Sequence, residues 1–170
     1  MTEEGLTVER ILETAEDVLR RYGPAKAAVV DVARALGVSH GSVYRYFPSK
    51  AALRDAVLAH WLARMSAPLV GSVGMIRPAL ERLRRWFELL MRSERARAFS
   101  DPELFATYIE VVSEARTVVK AHNNELVEQI RQIIAEGAAR GEFRVADSAA
   151  SAHAVFSATT RFHHPAHAVD

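Results

Sequence analysis

Cysteine is missing from all 170 residues, so neither disulfides nor thiolate metal sites can hold this chain together. Glycine and proline are sparse, at 8 and 6 residues, which excludes collagen-like and low-complexity architectures. No apolar run approaches the ~18–20 residues needed to cross a bilayer. The opening, Met1-Thr2-Glu3-Glu4-Gly5, carries acids where an export signal needs a basic stretch followed by an apolar one. The expectation is therefore a cytoplasmic protein with no membrane partner. Alternation of strand length is also absent. What is present is ordinary globular composition, 49% apolar and 25% charged, in a chain long enough to bury its own core.

The net charge of +1 conceals an uneven distribution. Residues 1–31 hold seven acids against four bases, whereas residues 32–54 hold Arg34, Arg45, Lys50 and Arg54 with no acid. The remainder is neutral. A polyanion would dock on that one basic stretch. Four bases in 23 residues is also close to background, so the missing acids are the unusual part.

Nearly every segment has helical period, which predicts an all-α fold of about eight helices. Ile11, Ala15, Val18 and Tyr22 form the stripe of a first helix over residues 7–22, with Thr7 as N-cap and Gly23-Pro24 as its end. Helices follow over residues 29–36 and 40–47, and a fourth starts behind Ser49 and runs to about residue 67. Residues 68–78 contain several breakers and read as a connection. Ile76, Leu80, Leu83, Phe87 and Leu90 give the inward stripe of a fifth helix. Asp101-Pro102 opens another, residues 116–139 form the longest, and Asp147 caps a last helix with Ala149, Ala152, His153, Phe156 and Thr160 inward. The arginines around Arg82-Leu83-Arg84-Arg85 alternate with Glu81, Glu88 and Glu94, which reads as a solvated face.

Residues 32–47 have the spacing of a helix-turn-helix. Two short helices crossing steeply need a small residue at the approach, supplied by Ala33, and a turn residue that accepts positive φ, supplied by Gly37. Val32, Leu36, Val38 and Val43 fall where the wedge between the helices must be filled. Ser39 caps the third helix and leaves its first turn free to enter a major groove. An ordinary helical hairpin with a glycine turn has similar spacing.

The continuation, Tyr44-Arg45-Tyr46-Phe47-Pro48-Ser49-Lys50-Ala51-Ala52-Leu53, resembles the signature of the tetracycline-repressor (TetR/AcrR-type) family of bacterial regulators. Gly23, Asp31-Val32-Ala33 and Gly37-Val38-Ser39 fall in the matching register, so the resemblance covers residues 7–62. It implies a helix-turn-helix DNA-binding domain over residues 1–50 and a helical effector-binding and dimerisation domain over residues 51–170. It further implies that His40, Gly41, Tyr44 and Arg45 meet base edges, while Ser39, Ser42, Tyr46 and Lys50 serve the cap and the phosphates. Arg45 suits a bidentate contact to guanine, and Lys50 starts a helix whose amides face phosphate. Family members place Thr or Ser before the second helix. Ala27-Ala28 stands there in this chain, so either Lys26 substitutes at that phosphate or binding is weaker. The family also adds one more helix after the eighth, so relative to it this chain is cut short or builds its dimer differently.

For the second domain the large adaptable side chains Met65, Phe87, Leu90, Phe105, Tyr108, Val119 and His122 are the candidate effector pocket, with Tyr108 and His122 as polar orienting groups. A dry core is the competing reading of the same residues. His153, Phe156 and Thr160 are the candidate dimer interface. His163, His164 and His167 resemble metal ligands in type, yet Pro165 breaks the helical spacing, so neither metal nor cofactor is expected. No nucleophile elbow, phosphate loop or HExxH pattern occurs, and the expectation is a regulator and not an enzyme. The resemblance implies a homodimer that binds double-stranded operator DNA and is released by a small-molecule effector. A constitutive DNA-binding dimer and a small metal-dependent helical enzyme are the alternatives.

Overall fold

A computed structural model describes residues 5–26, 28–100 and 115–163 of the chain. Among the described residues there are seven α-helices and no strand: α1 (Val8–Lys26), α2 (Val29–Leu36), α3 (His40–Tyr44), α4 (Lys50–Val73), α5 (Ala79–Ser100), α6 (Arg116–Ala139) and α7 (Ser148–His163). They form two compact units, divided inside α4 between Trp61 and Leu62 and inside α6 between Val119 and Lys120. The helix expected to open at Asp101-Pro102 lies outside the described residues.

In the first unit Ile11, Leu12, Ala15 and Val18 of α1 close over Val29, Val32, Ala33 and Leu36 of α2, with Val43, Phe47, Leu53 and Val57 completing the core. Thr7 accepts the Arg10 amide at 3.2 Å and caps α1 as its sequence suggests. Tyr22 leaves the stripe and is half exposed. The next residue, Gly23, has φ 74° and takes the backbone out of helical geometry.

The second unit packs Leu69 of α4 with Ala79, Trp86 and Leu90 of α5, the Leu126–Ile134 face of α6, and Ala152 of α7. Three expectations are corrected here. First, α4 continues through Pro68 to Val73, so no connection begins at residue 68. An interior proline costs about 3 kcal/mol. Met65 and Leu69 on either side of it are almost fully buried, and their packing offsets that cost. Second, Ile76 lies outside α5 and is 99% exposed, and Leu80 is also exposed. The buried face is Ala79, Arg82, Trp86 and Leu90, which shares Leu90 with the expected stripe and otherwise lies one residue before it, with Leu83 and Phe87 packed at its edge. Third, on α7 only Ala152 of the inward set is buried, while Ala149 and His153 are exposed and Phe156 and Thr160 half-buried. Phe156 still packs against the core.

The shift of the α5 stripe has one cause. Arg82, expected on a solvated face, is 1% exposed. Its guanidinium donates to the carbonyls of Ser72, at 3.4 Å, and Val73, and to Glu136 Oε2 of α6 at 2.7 Å. Carbonyls at a helix end lack intrahelical partners, so a cation there satisfies them and complements the helix dipole. Glu142 accepts the Ala79 amide at the start of α5 and pairs with Arg140 at 3.1 Å. At the same junction Gly137 admits close approach: a Cβ there would lie 2.6 Å from the Ala79 Cβ and 2.7 Å from the Phe143 ring.

Two substitutions test this junction. Gly137→Ala gains about 0.5–1 kcal/mol of helix propensity. It also meets two neighbours too close to yield, an overpacking cost of about 1–3 kcal/mol, so net destabilisation is expected. Arg82→Met keeps the stem but leaves one buried and one partly buried carbonyl unmet, for an expected loss of about 2–3 kcal/mol. Urea unfolding of both variants measures this, and wild-type midpoints for both would show that the junction contributes nothing.

Candidate nucleic-acid interface

The helix-turn-helix is assembled by local chemistry. α2 starts at Ala28, which has no side-chain acceptor, so only one half of a capping box forms: Asp31 Oδ2 accepts the Ala28 amide at 3.2 Å. α2 stops at Gly37, whose φ of 69° is left-handed. The Gly37 amide donates to Arg34 O at 3.1 Å and the Val38 amide to Ala33 O at 3.0 Å, the paired bonds of a Schellman cap. Ala33 is 2% exposed and Val43 fully buried, so the small residue and the wedge sit where the spacing requires them.

Ser39 Oγ accepts the Ser42 amide at 3.2 Å and shares a 2.8 Å bond with the Ser42 hydroxyl. Ser42 is thereby turned inward and 2% exposed, a partner of the cap and not a surface group in this conformation. The outer face of α3 presents His40, Gly41 and Tyr44, followed by Arg45, all exposed. The His40 ring meets Tyr44 edge-on, with centroids 6.4 Å apart. Tyr44 is 42% exposed, so it is not packed away beneath α1. A Cβ on Gly41 would meet nothing closer than Ser39 Oγ at 3.7 Å, so packing does not require glycine there.

Phe47, 8% exposed, anchors the turn after α3 in the core. Ser49 Oγ accepts the Ala52 amide at 3.0 Å and caps α4, which sets Lys50 exposed on its first turn. Tyr46 is 42% exposed, and its phenol donates to the carbonyl of Leu6 at 2.9 Å. That contact spans 40 residues and has no local sequence signal. Lys26 ends α1, and its side chain lies outside the described residues. Asp31, the last acid before the basic stretch, pairs with Arg34 at 3.0 Å.

The candidate effector residues are placed more unevenly. In the second unit Leu90 belongs to the core, Phe87 packs against it and meets Trp86 edge-on at 4.9 Å, and Met65 is buried. His122 is half-buried; burial lowers its pKa from the usual imidazole value, with the Glu125 carboxylate opposing. Val119 is half-buried in the first unit. Phe105 and Tyr108 lie outside the described residues, as do His164 and His167 and the side chain of His163. On α7, Thr160 donates to Phe156 O at 3.1 Å. Among the described residues no group of His, Cys, Asp or Glu could hold a metal ion, and no helix is long and apolar enough to cross a membrane.

Comparison with known proteins agrees with this geometry. A family model described as bacterial regulatory proteins of the tetR family matches residues 11–57, and one described as the tetracyclin repressor-like C-terminal domain matches residues 79–170. No curated protein matches the sequence. Among solved structures, PfmR, a TetR-family transcriptional regulator from Thermus thermophilus, is 25% identical with a TM-score of 0.56, over 92% of this chain and 87% of that one. SmeT, the repressor of the Stenotrophomonas maltophilia multidrug efflux pump SmeDEF, shares the fold at 16% identity and a TM-score of 0.66, over 92% and 76% of the two chains. FadR from Bacillus subtilis, in complex with stearoyl-CoA, does so at 17% identity and a TM-score of 0.62, over 89% and 82%. With the two family models meeting both halves of the chain and its helix-turn-helix assembled as the motif demands, this chain belongs to the tetR family of transcriptional regulators and not to a family of enzymes.

Proposed function

We propose that the chain is a ligand-responsive repressor that binds a double-stranded operator as a homodimer. The observation that carries the reading is the outer face of α3, where His40, Gly41, Tyr44 and Arg45 are all exposed in a stretch without acids. Arg45 offers a fork of donors to guanine, and His40 and Tyr44 offer donors at neighbouring base edges. Glycine inside a helix costs about 0.5–1 kcal/mol against alanine, and no neighbour requires it at position 41. Close approach of a groove wall is a use for it. Lys50 and Lys26 serve the phosphates, which fix register without reading sequence. Ser42 contributes through Ser39 and the cap of α3.

α3 is only five residues long. One such helix reads few base pairs, so useful specificity needs two of them on half-sites about 34–36 Å apart or a multiple of it. His153, Phe156 and Thr160 on α7 are the proposed interface residues. The effector site draws on Met65, Phe87, Leu90 and His122 of the second unit, three large apolar side chains and one titratable ring. FadR in complex with stearoyl-CoA supports an effector with a long apolar part, and SmeT supports repression. A coupling of about 1–3 kcal/mol between effector and operator would change affinity 5–150-fold. The domain division proposed is residues 1–50 for DNA and 51–170 for effector and partner.

The test begins with a duplex enriched from a random pool by the full chain. Arg45→Ala should cost about 1–3 kcal/mol on that duplex and relax sequence preference. Lys50→Ala should weaken enriched and random duplexes alike and reduce the salt slope by about one. Equal losses on both duplexes for Arg45→Ala would remove it from base reading. Acyl-CoA esters of increasing chain length, added to the bound complex, test release.

His122 adds a pH dependence with a definite sign. Its native pKa is lowered while the unfolded chain titrates near ~6.5, so on acidification the unfolded state takes the proton first. Stability is therefore full above that value and is lost as pH falls below it. Melting temperature should drop more between pH 7.5 and pH 5.5 for wild type than for His122→Gln, with the span chosen to bracket ~6.5. Parallel declines would exclude His122 as the cause.

A further inference from the structure

We propose that Tyr46 is a positioning residue, whose phenol clasps the Leu6 carbonyl and fixes the entry to α1 against the turn carrying Arg45, instead of gripping a phosphate. This rests on the DNA-binding reading of α3 given above. A phenol has one proton to donate, and a phosphate oxygen can only accept. Tyr46 has committed that proton to Leu6 at 2.9 Å, so holding a phosphate would require breaking this bond.

The bond joins two segments that are each anchored separately. Leu6 precedes Thr7, the cap of α1, and its side chain packs against the first core. At the other end, the amides of Tyr46 and Phe47 both donate to Val43 O at 3.0 Å, and Val43 is fully buried. Arg45 lies between α3 and these anchored residues, so its backbone has little freedom once Tyr46 is held. Burial does not do the holding, because the Tyr46 ring is 42% exposed. The hydroxyl is the group that decides where the ring lies. Loss of one such bond disturbs the placement of Arg45 without removing a charge contact to DNA.

Tyr46→Phe removes the hydroxyl alone. On a duplex enriched by the wild-type full chain it should weaken binding about 3–10-fold, the range of one hydrogen bond. Affinity for an unselected duplex of equal length, and the salt slope, should stay at wild-type values. In a chain lacking residues 1–6 the same substitution should have no further effect, since its acceptor is gone. The comparison within that background is the informative one, because the deletion also removes Glu3 and Glu4. Equal losses on both duplexes would make Tyr46 a phosphate ligand and overturn the proposal, the salt slope staying put because a neutral phenol releases no counterion. Unchanged binding of the enriched duplex would overturn it too. Should the wild type enrich no duplex, the DNA-binding reading fails and the clasp is judged without DNA. Tyr46→Phe must then raise amide hydrogen exchange at Arg10 and Ile11, whose amides are held by Thr7, by about 3–10-fold. Wild-type exchange there would refute it.

Discussion

A buried guanidinium organises the second unit. Taking a cation out of water costs several kcal/mol, and the cost is recovered only where geometry supplies several partners at once. Arg82 has them: two carbonyls at the end of α4 and a carboxylate on α6. Three helix ends are thereby forced to one place, and the rest of the unit follows from that requirement. Gly137 must be glycine because α5 and α6 come this close, and Glu142 must reach the first amide of α5 because that amide has no helical partner. Trp86, one turn further along α5, is then fully buried and satisfies its indole N–H on Gln129 at 2.8 Å.

The same arrangement explains why this half is harder to read from sequence. Periodicity assumes that the inward face is apolar, and Ile76, Leu80, Leu83, Phe87 and Leu90 offer an apolar face at good spacing. The actual inward face contains an arginine, which hydropathy places outside, so the apolar stripe points one position off the true register. Pro68 misleads in a similar way, since a breaker in isolation is tolerated where its neighbours are deeply buried. By contrast α6 begins and ends at the expected residues, because an apolar stripe of helical period and Gly141, with φ 75°, carry their own signals.

The helix-turn-helix is legible nearly residue by residue, although its second helix ends at Tyr44 and not at residue 47, where Phe47 anchors the turn that follows. Its determinants are short-range: a small residue, a left-handed glycine, a serine cap and an apolar wedge within twelve positions. Such requirements are written next to one another in the chain, and a motif can capture them. Two features escape for a physical reason. Ser42 reads as a surface hydroxyl until its partner is seen to be the neighbouring cap, and the Tyr46–Leu6 bond joins positions that only the completed fold brings together.

The shortness of α3 has a consequence for how such a protein can change. A helix of five residues has no stability of its own, since nucleation alone is unfavourable at that length. Its shape is imposed from beneath by Val43, from one end by Ser39 and from the other by Phe47, all of which face away from solvent or serve the backbone. At the outward positions His40, Gly41 and Tyr44, side chains add only the ring contact between His40 and Tyr44. His40, Gly41 and Tyr44 are therefore open to replacement with little effect on the fold of this segment. The scaffold is held from within while the outer face stays free to vary.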